Sequence, residues 1–584
     1  MNEEPKNIWK KSWKGPRGFF FLWLLILAAA FLIIFTFGLS TRIADSSANL
    51  TLVSLIWATV VAVVGFVVAS FIRWIFCWRN FKRFLFGVAC FVTLIALFYA
   101  EEDWRGKHDW EKFKHEWEAK GEKFDFKDFV PPPVPDDVNF ALTPIVFTSY
   151  GQVLTRDGKT IPPDECDTNF INRLKMEVTH NYEESPKDGN WLIAKISDLK
   201  TWRDYYRALA ATTNEFPVAP QPQSPAADVL LALSKYDPAI EELRQASQLP
   251  YSRFPLDYDT DDPAEILLPH LAVLKQCSLA LQLRAIAELQ NGQSEKALDD
   301  VKLALRLTDS VRTEPFIITH LVRIAILQIT LQPVWEGLAE HKWSDAQLAE
   351  LDSELSKPDF LADYEFSVRS ERAEHIKIVD WMEQKRSRFL ELFNVIDNDY
   401  KKTVNRFGLS VEIYLMPKGW YYQSEIVLSK VQQQWVSPMV NDPQQTVSPQ
   451  AARESVAAVS LLRPNGVNLF ARLLLPELGK YAERAAYGQT AANLARVAIA
   501  LERYHLMHGD YPESLDALAP QFINKLPHDI IGGQPLHYRH TSDDQFVLYS
   551  VGWNETDDGG VVGLTKDGGV DRDTGDWVWR YPQK

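Results

Sequence analysis

Cysteine is nearly absent, with four in 584 residues. So sparse a supply excludes a disulfide-stapled scaffold. The chain also lacks a phosphate-cradling glycine loop, a paired-glycine dinucleotide fingerprint, a G-x-S-x-G and an H-E-x-x-H. Those absences remove the linear signatures of nucleotide enzymes, α/β-hydrolases and zincins. They leave open a site assembled from distant carboxylates or histidines. Positive charge is short as well. Residues 1–100 hold ten Lys/Arg against three Asp/Glu, and the remainder holds 52 against 74, a balance of −22 within a total of −15. A body that acidic repels phosphate backbones, so nucleic acid is not an expected partner.

Charge of either sign disappears between Arg17 and Arg42, and the gap is filled by GFFFLWLLILAAAFLIIFTFGLS. Residues 46–72 and 84–100 are also uncharged and apolar. A spanning helix needs about 17–25 apolar residues, which predicts three transmembrane helices at about 18–39, 50–72 and 84–100. Lys6, Lys10, Lys11, Lys14 and Arg17 precede the first run. Arg73, Arg79, Lys82 and Arg83 lie between the second and third, and the first loop has only Arg42. The positive-inside rule keeps the N-terminus cytoplasmic and sends residues 101–584 to the far side. The first run is too long for a cleaved signal peptide.

At this length two to four domains are expected. EEDWRGKHDWEKFKHEWEAKGEKFDF should leave the membrane as a stalk helix, with Trp110, Phe113 and Trp117 on one face and Gly121 ending it. Four acids in its first half (Glu101, Glu102, Asp103, Asp109) argue against contact with anionic lipid. VPPPVPDDVNFALTP (130–144) reads as an extended connector, and FPVAPQPQSPAAD (216–228) as a second break. The stalk, the connector and a small mixed region thus occupy 101–222. From 223 to 484 helical periodicity dominates.

The clearest stretch, CSLALQLRAIAELQNGQSEKALDDVKLALRLTDS (277–310), is a helix pair turning at Asn291-Gly292, with Ser294 placed to cap the second helix. It resembles one tetratricopeptide repeat, with Ala285, Ala297, Val301 and Ala304 at the repeat's fixed apolar positions. Arg284 and Glu288 stand where the repeat wants apolar groups, so a generic helix hairpin is an equal reading.

Residues 485–584 form the last piece, expected to be α+β. A helix carries Leu494, Val497, Leu501 and Tyr504 on one face and stops at Gly509. Tyr511-Pro512 opens a loop and a short helix to Leu518, and Leu526-Pro527 and Asp529 precede the Gly532-Gly533 turn. PLHYRH and QFVLYSVG then alternate as strands. This ordered set resembles the head domain of the major pseudopilins of type II secretion. Trp23 stands where that family carries its glutamate, and three membrane helices and a helical body intervene, so pilus polymerisation is not expected. EEDWRGKHDWEKFKHEWEAKGE, PPPVPDDVNFALTP, YSVGWNETDDGG and DWVWRYP are similar to stretches of large membrane proteins from the envelope of the Planctomycetes–Verrucomicrobia group. That likeness implies a bacterial inner membrane.

The pseudopilin resemblance implies calcium in the loop after the last strand. This chain offers Asp557, Asp558, Asp571, Asp573 and Asp576 there, with Asp567 nearby, hard oxygen ligands among glycines. Five of the twelve histidines lie between 505 and 540: His505, His508, His528, His537 and His540. A helix-end H-x-x-H with a strand H-x-x-H is an alternative, zinc-type reading. Cys166 and Cys277 could be bridged, although spacing alone does not decide it. The function expected is a non-enzymatic, membrane-anchored scaffold that binds other envelope or secretion proteins. Two rivals are an extracytoplasmic hydrolase with a site in the helical body and a calcium-dependent envelope sensor.

Overall fold

The computed structural model describes residues 27–28, 56–68, 78–161, 172–179, 186, 189–260, 266–386, 414–463, 465–475, 478–541 and 545–582. Within them the protein is mostly helical, with a small amount of sheet at the C-terminal end. Two compact units are present, Met1–Glu101 and Glu102–Lys584. In the first unit, the expected second span contains the apolar helix Ile56–Val68 (α1). The expected first span lies outside the described residues except for Leu27 and Ala28, which are helical. The third belongs to a longer helix, Trp78–Glu118 (α2), whose most apolar window has mean hydropathy 2.1 and no buried residue. Phe86, Phe91, Leu94 and Leu97 are all exposed on it. A helix with that many uncovered apolar side chains is long and apolar enough to cross a membrane. Ile317–Ala339 is also long and apolar, but 61% of its most apolar stretch is buried, as in a core helix.

In the second unit, local sequence rules start the helices. Asp198 accepts from two backbone N–H groups at the head of Leu199–Ala210 (α3), and Ser224 caps Pro225–Leu233 (α4). Asp237–Ala246 (α5) follows. The Pro/Gln-rich break therefore joins two helices that pack in one cluster, Trp202, Tyr206 and Phe216 against Val229, Leu233 and Ile286.

Pro269–Gln290 (α6) and Ser294–Asp309 (α7) form the expected antiparallel hairpin, turning at Gly292 with φ +72°. Ala285, Ala297, Val301 and Ala304 are all buried. One expectation is corrected: Ser294 does not cap. Gln293 holds the cap position without a side-chain bond, and the Ser294 hydroxyl accepts from Gln347 instead. Arg284 and Glu288, the apparent misfits, have partners. Arg284 reaches Asp300 of α7 (2.8 Å), Glu288 (3.2 Å) and Asp237 of α5, and Arg244 completes Asp300 at 2.7 Å. A buried carboxylate persists when its charge is matched and hydrogen-bonded.

Ile317–Ala339 (α8), Asp345–Leu355 (α9) and Phe360–Gln384 (α10) continue the body. Ser344 and Gln347 form a capping box on α9, and Asp359 caps α10. Lys418–Val431 (α11) and Pro449–Ser460 (α12) follow. Leu469–Leu474 (α13) and Leu478–His508 (α14) come next.

Gly509, φ +80°, ends α14, because a left-handed residue there breaks the helix without a Cβ penalty. A two-residue bridge pairs Val440–Asn441 (β1) with Thr446–Val447 (β2). His537–Thr541 (β3), Gln545–Ser550 (β4) and Trp577–Arg580 (β7) make a three-stranded antiparallel sheet in the order β3-β4-β7. Val562–Leu564 (β5) and Val570–Gly575 (β6) form a separate hairpin.

The α14 helix is buried on nearly every side from Leu478 to Glu502. Its alanines and Gly488 let α8, α9, α10 and α12 approach closely on different faces. One cluster joins Leu331, Trp335 and Leu348 of the body to Leu494, Leu501, Phe546, Leu548 and Trp579. Each such side chain contributes about 1.5–3 kcal/mol on burial.

Candidate functional site

The stalk half of α2 docks on α11 through two glycines. A methyl group on Gly106 would overlap the Gly419 carbonyl, and one on Gly419 would overlap the Glu102 carbonyl. At this contact Asp103 accepts from the Gly419 N–H at 2.9 Å, and Glu102 accepts from the Trp420 indole N–H at 2.9 Å. Two carboxylates thus sit at the start of α11, where unpaired N–H groups and the helix dipole favour negative charge. Trp110 and Phe113 are buried against Phe124 and Ile376, which is the aromatic stripe expected of the stalk. Farther along, the two helices leave an open groove of about 500 Å³. Phe113, Trp117, Ile426 and Val427 supply its apolar wall, and charged side chains of both signs, Lys112 and Lys430 with Asp109 and Glu116, also line it. Beside it, Glu425 is buried, and burial and the neighbouring Asp380 carboxyl push its pKa well above the ordinary glutamate value.

A second, polar cleft of about 300 Å³ lies where α14 meets the loop before β3. Gln489, Asn493, Arg496, Lys525 and His528 line it. The interior also holds a chain of polar groups. Arg323 bridges Asp363 (2.5 Å) and His320 (3.2 Å), and His270 meets Glu314 at 2.8 Å. Burial, then the Arg323 charge, lowers His320 to about 3, so it is a neutral hydrogen-bonding group of the core.

The five aspartates proposed for calcium fall in two places. Asp557 accepts from the Tyr549 hydroxyl (3.1 Å) and the Gly559 N–H (2.9 Å), and Asp558 from the Asn554 amide (2.8 Å). Asp576 is buried and accepts from the Asp558 and Gly560 N–H groups (3.2 and 2.6 Å). Burial and the charges of Asp558 and Asp557 raise its pKa. Asp571 and Asp573 lie on β6, where Asp571 accepts from the Asp573 N–H and the Thr574 hydroxyl, both at 3.1 Å. Their charges help to raise the pKa of Glu483 on α14, whose first cause is burial. Asp567 lies in the turn between β5 and β6. Cys166 lies outside the described residues, and the buried Cys277 thiol contacts the Leu174 carbonyl at 3.4 Å. Burial pushes that thiol up to about 12.

The histidines separate. His508 bonds the Tyr504 carbonyl, His528 the Gln445 carbonyl, His537 faces Asp557 and His540 faces Asp510. His505 instead meets a residue that the linear pattern did not select, His341. Among the described residues, His341, Glu502 and His505 are the one group in which three ligand atoms lie within 4.8 Å of one another. The only linear hint was the i,i+3 spacing of Glu502 and His505, which shares one helix face. His341 comes from the turn after α8. No protein-family model, curated protein or solved structure is significantly similar to the chain.

Proposed function

We propose that the protein is a membrane-anchored scaffold of the bacterial envelope. In this reading three N-terminal helices hold it in the cytoplasmic membrane, the N-terminus is cytoplasmic, and residues 101–584 bind other envelope or secretion proteins outside. The pseudopilin-like piece would link it to machinery of the type II secretion kind. The observation that carries the reading is the open groove between α2 and α11. An aromatic and aliphatic wall within a rim of mixed charge suits a segment of another protein, because apolar anchors supply affinity and rim charges select the partner. The α6–α7 hairpin, if it acts as a tetratricopeptide-like unit, adds a stacked helix pair of the type that builds binding surfaces.

Crosslinking in intact cells followed by co-purification and mass spectrometry tests this. The parent chain should recover a set of envelope or secretion proteins, and Trp117→Ala combined with Lys430→Glu should deplete that set. Recovery of the same set by the variant would remove the groove as the binding surface. A second reading, an extracytoplasmic hydrolase, draws on His341, Glu502 and His505, groups able to hold a metal or move a proton.

A further inference from the structure

We propose that His341, Glu502 and His505 bind a single divalent ion of the zinc class, with one coordination position left open to solvent. The assignment holds whether the protein is a scaffold or an enzyme.

The donor set selects the ion class. Two imidazoles and one carboxylate suit Zn²⁺ held by three protein ligands and a water, whereas Ca²⁺ and Mg²⁺ prefer all-oxygen shells. The spacing agrees. The His341 and His505 ring centroids are 5.0 Å apart. Two imidazoles on one tetrahedral ion, each with a Zn–N bond of about 2.0–2.1 Å, place their centroids roughly 5 Å apart. His341 Nδ1 and Glu502 Oε1 are 2.7 Å apart, joined by one hydrogen bond. An ion taking the place of that hydrogen engages both groups with only small side-chain shifts.

The surroundings hold the ligands in position. The Tyr511 hydroxyl donates to Glu502 Oε2 at 2.9 Å, which leaves Oε1 turned toward the histidines. Outer bonds of this kind orient metal-binding carboxylates. The Tyr511 ring also stacks on His505, with centroids 4.7 Å apart. Glu502 is fully buried on the tightly packed α14, so its backbone position is fixed. The His341 side chain is 42% exposed, which gives an ion a route in and a solvent-facing side for a water ligand.

The backbone at His341 points the same way. Its φ is +52°. Its N–H donates to the Leu338 carbonyl and that of Lys342 to the Gly337 carbonyl, the paired bonds of a Schellman motif. Glycine is the usual residue at that point of the motif. An imidazole stands there instead, aimed at a buried carboxylate on another helix.

The test uses the full chain in detergent, stripped with chelator and titrated separately with Zn²⁺, Co²⁺ and Ca²⁺. One equivalent of Zn²⁺ should bind, and Co²⁺ should give the visible absorption of a low-coordinate nitrogen and oxygen site. Binding should weaken as pH falls, since protons compete for the imidazoles. His505→Ala should abolish it, and Tyr511→Phe should weaken it about tenfold. His341→Gly should also abolish it while keeping the turn, because glycine suits that conformation. His508→Ala should bind as the parent does. No stoichiometric Zn²⁺, a response to Ca²⁺ alone, or equal affinity in folded His341→Gly and the parent would each overturn the proposal.

Discussion

Asp529 and Glu425 are both buried acids, and their surroundings differ in what they offer. Asp529 accepts from the Ser550 hydroxyl (2.7 Å) and from the Ile531 and Val551 N–H groups (2.9 and 3.0 Å), which ties the Gly532-Gly533 turn to the end of β4. Its place before that turn was legible in the sequence, since proline, aspartate and paired glycines mark a turn by known chemistry. Glu425 had no such mark, because it is one glutamate in a helix and only the fold puts it beside Asp380. Its carboxyl faces Asp380 and Glu383, with Lys114 the nearby cation. Burial first, then Asp380, raises its pKa, so the folded protein holds a proton that the unfolded chain releases. The stability it contributes is fully present below the ordinary glutamate value of 4.5 and is lost as pH rises through the elevated folded value. Glu425→Gln, which is neutral at every pH, should therefore melt above the parent at neutral and mildly alkaline pH. The two melting curves should converge below 4.5. A parallel offset across the whole range would mean that packing, not titration, sets the difference.

At the scale of elements, the stalk was legible as a helix with an aromatic stripe, because Trp110, Phe113 and Trp117 recur at helical spacing. Its acids carried a second meaning that the sequence could not show. Glu102 and Asp103 meet the start of α11, and Asp103 and Gly419 are 316 positions apart. The glycines at the crossing give no periodic signal either, since a side chain that is absent leaves nothing to count. The hairpin of α6 and α7 shows the same limit. Its periodicity and its Asn-Gly turn were readable, but the reason for Arg284 was Asp300 on the facing helix, and Glu288 is held in turn by Arg284. The crossing at Gly106 supplies a test. Gly106→Val forces side-chain atoms into the Gly419 backbone, and overpacking of this kind costs about 1–3 kcal/mol. Thermal unfolding should register that loss, and limited proteolysis should cut faster in the segment after Glu118. Gly87→Val, where an added Cβ meets nothing within 4 Å, is the control and should leave both measurements unchanged. Equal behaviour of the two variants would mean that the stalk is not held at this crossing.

For the whole molecule, the decisive element is α14. Its pattern of Leu494, Val497, Leu501 and Tyr504 predicted a helix with one buried face, and the strands after it were legible from alternation. The other faces of α14 are alanine, glycine and short polar groups, which read as neutral in a sequence. In the fold they are contact surfaces for α8, α9, α10 and α12. The His341 site was hidden for the same reason: α14 is where distant segments of the chain meet. This centrality sets a prediction about truncation. A chain stopped after Lys480 loses nearly all of α14 and the β3-β4-β7 sheet. Trp335 then loses the Arg580 carbonyl that accepts its indole N–H at 3.0 Å, together with the leucines packed around it. Several buried side chains at about 1.5–3 kcal/mol each exceed the stability of about 5–15 kcal/mol that a domain commonly has. The truncated protein should therefore show no cooperative thermal transition and no near-ultraviolet circular dichroism from fixed tryptophans. A truncated body that melts cooperatively near the parent temperature would mean that residues 481–584 are a separable module and that α14 fills a space the body can close without it.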